Sequence, residues 1–168
     1  MKIEKRNLDW VDDSKKIIPT AIVLHWWQVP SWFGCINYLM KGLKRWNTSV
    51  QFAVTKDGKV HQLVNDPRIL CHHARGANQS SIGIEIQGLN SRSLDKNNEQ
   101  FKSVVELVKF LKEKYNIQTD FKVEESPKLR FYGITSHKQV DPYCGKRLLW
   151  YKRDVHDSYL NRVRKECS

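Results

Sequence analysis

The sequence predicts a single α/β domain with a central mixed β-sheet flanked by helices. The chain has 168 residues, a length that suits one domain. Short β-branched runs alternate along it with segments of helical periodicity. Hydrophobic residues make up 40% and charged residues 28%, as in ordinary folded proteins. We therefore expect residues 1–19 to be an N-terminal extension and residues 20–168 to form the domain.

Several segments have the composition and patterning of β-strands. The predicted strands cover residues 20–24, 49–55, 59–64, 81–87 and 130–136. The first is apolar and is predicted to end at His25. In residues 81–87, isoleucines alternate with Gly83, Glu85 and Gln87, which predicts one apolar and one polar face. The sequence Lys56-Asp57-Gly58 is typical of a hairpin turn between two of the strands.

Helical periodicity occurs in three segments. The predicted helices cover residues 34–46, 98–115 and 156–165. The middle one has an apolar stripe formed by Phe101, Val104, Val105, Val108 and Leu111. Residues 116–129 are polar and contain Pro127, so a loop is predicted there.

Three polar residues lie where apolar strands end or alternate. His25 and His137 each follow a predicted strand, and Glu85 is the only acid in an otherwise apolar strand. A carboxylate buried there needs a compensating partner. Two histidines beside an inward carboxylate suggest a metal site. A lone histidine in a strand is more often a hydrogen-bonded core residue, and the pattern does not establish that these strands are neighbours.

The same residues lie within motifs that resemble a known family. The motifs are Ile22 to Trp26, Ser49 to Val64, His73 to Asn78 followed by Ser81 to Gly88, and Gly133 to Pro142. Together they resemble the N-acetylmuramoyl-L-alanine amidases, zinc enzymes related to peptidoglycan-recognition proteins and phage lysozyme-type amidases. The resemblance extends from about residue 20 to residue 154. It implies a peptidoglycan-recognition-protein-like fold and hydrolysis of the amide bond between N-acetylmuramic acid and L-alanine in peptidoglycan or muropeptides.

The resemblance also implies a zinc cofactor bound by His25 and His137. The third ligand in this family is an Asp or Cys shortly after the second histidine, two residues beyond a lysine. Asp154 has that lysine and is favoured, although it lies later than usual. Cys144 is nearer the expected distance but lacks the lysine, and Asp141 is a weaker candidate.

Catalytic and substrate-binding roles follow from the same resemblance. Glu85 matches the acid that handles the water proton, and Lys152 matches the lysine that stabilises the developing oxyanion. His73 matches a histidine of the substrate cleft, and Asn78 belongs to the same motif. Trp26 begins an aromatic cluster that fits either core packing or a cleft wall for the substrate.

Charge and composition restrict the partners and the setting. The net charge of +11 favours an anionic partner, and the anionic cell wall is one. No nucleic-acid-binding motif and no apolar run of membrane-spanning length occurs, so neither partner is expected. We expect a monomer. We also expect the protein to be made in the cytoplasm, because the N-terminus lacks the apolar core of a signal peptide. An endolysin released to the wall is favoured over a recycling amidase acting on cytosolic muropeptides. A non-catalytic peptidoglycan-binding module is the alternative.

Overall fold

The computed structural model describes residues 1–28, 36–88, 98–125, 128–144 and 155–168. Within these ranges, the strands are β1 (Ile3–Lys5), β2 (Ala21–Gln28), β3 (Phe52–Val54), β4 (Val60–Gln62), β5 (Ser81–Gly88), β6 (Lys122–Glu124) and β7 (Arg130–Ser136). They form one seven-stranded sheet in the order β1-β4-β3-β5-β2-β7-β6. The predicted α/β fold with a central mixed sheet is confirmed.

The helices of the described ranges are α1 (Ile36–Arg45), α2 (Asn98–Tyr115), the short α3 (His137–Val140) and α4 (Asp157–Glu166). A 3-10 helix, Asp141–Cys144, directly follows α3. The three longer helices lie within two residues of their predicted bounds, because each has a clear apolar stripe. None of the described helices is long and apolar enough to cross a membrane.

Four neighbouring strands at the centre of the sheet run parallel. β5 pairs with β3 on one side and with β2 on the other, and β2 pairs in turn with β7. β4 is antiparallel to β3, and β6 is antiparallel to β7. The carboxyl ends of the four parallel strands therefore meet at one end of the sheet, where ligands bind in open α/β sheets.

The two faces of the sheet are covered by different apolar clusters. The larger cluster joins the isoleucines of β5 to α2 and α4, and includes Ile22, Leu24, Val108 and Leu160. A second cluster on the other face packs α1 against Ala53, Val50 and Leu63. A third, around Ala21 and Val23, lies beside it and reaches the start of β7 and α3.

Three details differ from the sequence prediction. β2 does not end at His25 but continues to Gln28, because it pairs with β5 along its whole length. The predicted loop 116–129 contains β6, which pairs with β7 over three residues. Residues 1–19 contribute β1, which extends the sheet by pairing with β4. Local periodicity does not reveal these pairings, because each depends on a partner strand elsewhere in the sequence.

Candidate active site

His25 and Glu85 lie side by side at the centre of the sheet. They are register partners in the parallel pair β2–β5, and Ala53 of β3 is the next partner in the same row. Partners in a parallel pair point to the same face, on strands roughly 4.8 Å apart. His25 is only 5% exposed, whereas Glu85 is half-buried. The sheet thus presents an imidazole and a carboxylate together on one face.

His137 joins this pair from the other side of β2. Leu24 is the register partner of Ser136, the last residue of β7, and His137 follows as the first residue of α3. The centroids of the His25 and His137 rings are 5.0 Å apart. Two imidazoles that each bind one ion through a nitrogen at about 2 Å have ring centres at roughly this separation. The structure therefore brings together both histidines and the carboxylate singled out in the sequence.

His73 reaches the same place from the loop between β4 and β5. Its Nδ1 lies 3.0 Å from Nε2 of His25, and its Nε2 lies 3.3 Å from the carbonyl oxygen of Ser81. The ring rests directly on Gly83, where a Cβ would lie 2.7 Å from the His73 Cγ. Only a glycine at this position lets His73 pack so close to the sheet.

Burial lowers the pKa of two of these histidines, His25 and His73. The pKa of His25 is well below its usual value, mainly because burial disfavours the charged ring and also because His137 and His73 lie close by. Burial likewise lowers the pKa of His73 to about 4, against the opposing effect of its contact with Ser81. A neutral imidazole retains the lone pair that metal binding requires.

Asp141, the weaker candidate for the third metal ligand, contacts His137. Its Oδ1 lies 3.1 Å from Nε2 of His137, four residues earlier, and the side chains are 26% and 34% exposed. Carboxylates commonly orient metal-binding histidines through such a contact. The spacing of four residues, which places two side chains on one helical face, is the signal by which sequence reasoning could have found it.

Two predicted substrate residues, Trp26 and Asn78, make contacts within the fold. Trp26 lies on the face opposite His25, nearly buried in the larger apolar cluster, and its indole Nε1 donates to the Gly88 carbonyl at 2.8 Å. This arrangement corresponds to the core-packing alternative. The amide oxygen of Asn78 accepts hydrogen bonds from the backbone N–H groups of His73 and Ala74. Asn78 thereby shapes the loop that carries His73.

The remaining predicted residues lie at or beyond the edge of the described chain. Lys152 and Asp154 fall outside the described residues. The backbone of Cys144 ends the 3-10 helix that follows α3. Among the residues that the structure describes, no group of three or more metal-ligating side chains is assembled. The described site therefore supplies two candidate metal ligands and one candidate general base.

Comparison with known proteins identifies the family of this fold. The Amidase_2 family profile, described as N-acetylmuramoyl-L-alanine amidase, matches residues 14–147. No curated protein sequence matches the chain.

Solved structures of amidases and endolysins share the fold. The N-acetylmuramoyl-L-alanine amidase LysC from Clostridium intestinale URNW is 22% identical, with a TM-score of 0.59 over 83% of this chain and 85% of that chain. The Staphylococcus aureus hydrolase AmiA, in complex with its ligand, is 14% identical, with a TM-score of 0.68 over 99% of this chain and 83% of its own. A mutant endolysin from Bacillus subtilis is 18% identical, with a TM-score of 0.65 over 100% and 99%.

At these identities the structural likeness establishes the fold, and the match to the family profile assigns the chain to a family. The profile covers most of the chain, including His25, Glu85 and His137. This supports peptidoglycan amidase activity, and the chain belongs to the N-acetylmuramoyl-L-alanine amidase family.

Proposed function

We propose that this protein is a zinc-dependent amidase that cleaves the bond between N-acetylmuramic acid and L-alanine, and that it works as an endolysin. The observation that carries the proposal is the convergence of His25, His137 and Glu85 on one face of the sheet. Two imidazole ligands beside a carboxylate form the core of a hydrolytic metal site.

The side chains available fit zinc better than the common alternatives. Zinc favours imidazole nitrogens, whereas magnesium and calcium favour oxygen ligands. His25 and His137 would hold the ion. A zinc ion with three protein ligands keeps a position for water and lowers the pKa of that water to roughly 7. Metal analysis of the purified protein tests the cofactor, with one zinc per chain expected, and full activity of a zinc-free preparation would exclude the proposal.

Glu85 is proposed as the general base and acid. Its register position beside His25 suits a carboxylate that accepts a proton from the attacking water. The same carboxyl group then donates that proton to the departing amine nitrogen of L-alanine as the amide C–N bond breaks. Water is thereby split between the two products, with its oxygen on the lactyl carboxyl group of muramic acid.

The third zinc ligand has two candidates, which different observations support. Asp154 has Lys152 two residues before it, so a single segment would provide both the ligand and the cation beside the substrate carbonyl. Such a cation is commonly worth about 3–4 kcal/mol of transition-state stabilisation. Cys144 is supported by its backbone, because it ends the 3-10 helix whose first residue, Asp141, contacts His137.

The described neighbours of the two candidates point in different directions, and the position of Val155 favours Cys144. Val155, the residue after Asp154, is buried in the apolar cluster on the face opposite His25. Lys138, which would have to replace Lys152 if Cys144 were the ligand, pairs with Asp157 at 3.1 Å, and this contact favours Asp154. Zinc titration of Cys144→Ala and Asp154→Ala decides the question, because only the variant that lacks the ligand loses most of its zinc affinity. If the Asp154 variant keeps its zinc, Lys152 loses its proposed role as well.

The endolysin role is supported by the charge of the protein. A net charge of +11 concentrates the enzyme on an anionic, insoluble wall, and salt screens that attraction. We expect hydrolysis of isolated cell walls to fall steeply between low and high salt, while hydrolysis of soluble muropeptides stays nearly constant. Preference for soluble muropeptides at every salt concentration would instead indicate a recycling amidase. Binding of walls without hydrolysis would indicate the non-catalytic module.

A further inference from the structure

We propose that His73 and Asp141 are positioning residues, each of which holds the Nε2 atom of one metal-binding histidine and so leaves its Nδ1 for the ion. The proposal rests on the zinc site proposed above. It gives His73 a task other than lining the substrate cleft, and Asp141 a task other than binding the metal directly.

On the first side, Ser81 determines which nitrogen of His73 bears hydrogen. The Ser81 hydroxyl donates its single proton to the Ala77 carbonyl at 2.7 Å. Its oxygen and the Ser81 carbonyl oxygen, which lie 3.4 and 3.3 Å from Nε2 of His73, can then only accept. Nε2 of His73 is therefore a donor.

His73 in turn determines the form of His25. His73 is half-buried, packed on Gly83 and edge-on to the His25 ring, and a neutral imidazole carries one hydrogen only. Its Nδ1 is thus an acceptor, and it lies 3.0 Å from Nε2 of His25. His25 must donate from Nε2, and its lone pair lies on Nδ1. Gly83 makes this series of hydrogen bonds possible, because it leaves room for the His73 ring on the sheet.

On the second side, a carboxylate does the same for His137. An ionised carboxylate can only accept, and the Asp141 Oδ1 lies 3.1 Å from Nε2 of His137. His137 therefore bears hydrogen on Nε2. Such a contact fixes the orientation and tautomer of a metal-binding ring and increases its basicity. His25 and His137 therefore both carry hydrogen on Nε2, although the partner of one is an imidazole and the partner of the other is a carboxylate.

Nuclear magnetic resonance of the full-length, ¹⁵N-labelled protein tests the assignment. Two-bond ¹H–¹⁵N correlations of the imidazoles, recorded without metal, should show hydrogen on Nε2 in His25, His73 and His137. After addition of zinc, the Nδ1 signals of His25 and His137 should take the shift of a metal-bound nitrogen. Metal-bound Nε2 signals would overturn the proposal, as would direct coordination by Asp141 with loss of the hydrogen on His137.

Zinc titration of matched variants gives the second readout. His73→Ala and Asp141→Ala should each bind zinc about 10- to 100-fold more weakly, the usual cost of removing an orienting partner. His72→Ala and Asp157→Ala are the controls, because His72 is the exposed neighbour of His73 and Asp157 belongs to an exposed ion pair. Both controls should bind zinc as the wild type does. Unchanged affinity in His73→Ala and Asp141→Ala would overturn the proposal.

Failure of the proposed function gives a different result. If the wild-type protein takes up no zinc, the proposed zinc amidase is wrong. The spectra of the metal-free protein still decide whether His73 and Asp141 hold the Nε2 atoms. A mixture of tautomers at His25 and His137 in those spectra would contradict the positioning roles regardless of zinc. Asp141→Asn, which retains an accepting oxygen, should restore part of the affinity lost in Asp141→Ala.

Discussion

Where β2 and β5 pair, one face of the sheet carries large apolar side chains and the other carries the candidate catalytic groups. Ile84 and Glu85 are neighbours in β5, yet Ile84 is fully buried against α2 and α4 while Glu85 lies beside His25. The apolar face is built from large branched residues. The other has glycine and alanine at Gly83 and Ala53, next to the polar groups.

The difference separates stability from chemistry within single strands. Large apolar side chains contribute to folding in proportion to the area they bury. Small residues on the opposite face leave space for His73 to pack between the sheet and the solvent. Substitutions one residue apart should therefore affect different properties, stability on one face and activity on the other. We expect the largest effect at Glu85 and the smallest at Gly42.

Glu85→Gln should lower the rate of hydrolysis by about 10²- to 10⁴-fold, because an amide cannot accept the water proton. Zinc content and the free energy of unfolding should remain close to those of the wild type, since the side chains have the same shape. Rates of release of L-alanyl peptides from purified muropeptides, with denaturant unfolding in parallel, provide the measurement. Near-normal turnover would remove Glu85 from the mechanism.

Ile84→Ala should lower the free energy of unfolding by about 2–5 kcal/mol, because it leaves a cavity in the larger apolar cluster. Turnover per folded molecule should stay within a few-fold of the wild type. Urea unfolding, combined with activity measured well below the transition, checks both statements. A selective loss of turnover in a fully folded variant would show that the two faces are not independent.

Gly83→Ala should destabilise the protein by about 1–3 kcal/mol and displace His73, because the new methyl group would lie 2.8 Å from the Val50 Cγ2 and 2.7 Å from the His73 Cγ. The displaced ring should no longer contact His25, so zinc affinity should fall together with stability. Calorimetry and zinc titration test this pair of effects. Retained affinity with lowered stability would indicate that His73 is not needed at its position.

Gly42→Ala should have the smallest effect and the opposite sign, stabilising the protein by about 0.5–1 kcal/mol. Gly42 lies within α1, and the atoms nearest to the added methyl group would be those of the Trp46 ring, at 3.2 Å. Trp46 is 66% exposed and can move aside. The melting temperature should rise by a few degrees with activity unchanged. A destabilised Gly42 variant would mean that Trp46 is held in place more firmly than its exposure indicates.

The local pattern of the sequence was enough to predict the elements that have a clear period. Helix α2 was predicted over its observed span, and the alternation of β5 correctly separated Ile84 from Glu85. The motifs also led to the family, which the profile match confirms. These features could be predicted because side-chain periodicity depends only on residues close together in the chain.

Only the tertiary structure decided which strands are neighbours and which side chains are in contact. β2 lies between β5 and β7, and that order brings His25, Glu85 and His137 together from distant positions. The continuation of β2 past His25 turns Trp26 to the opposite face, into the core. Strand pairing and the contact between His73 and His25 depend on long-range packing, which leaves no periodic trace in the chain.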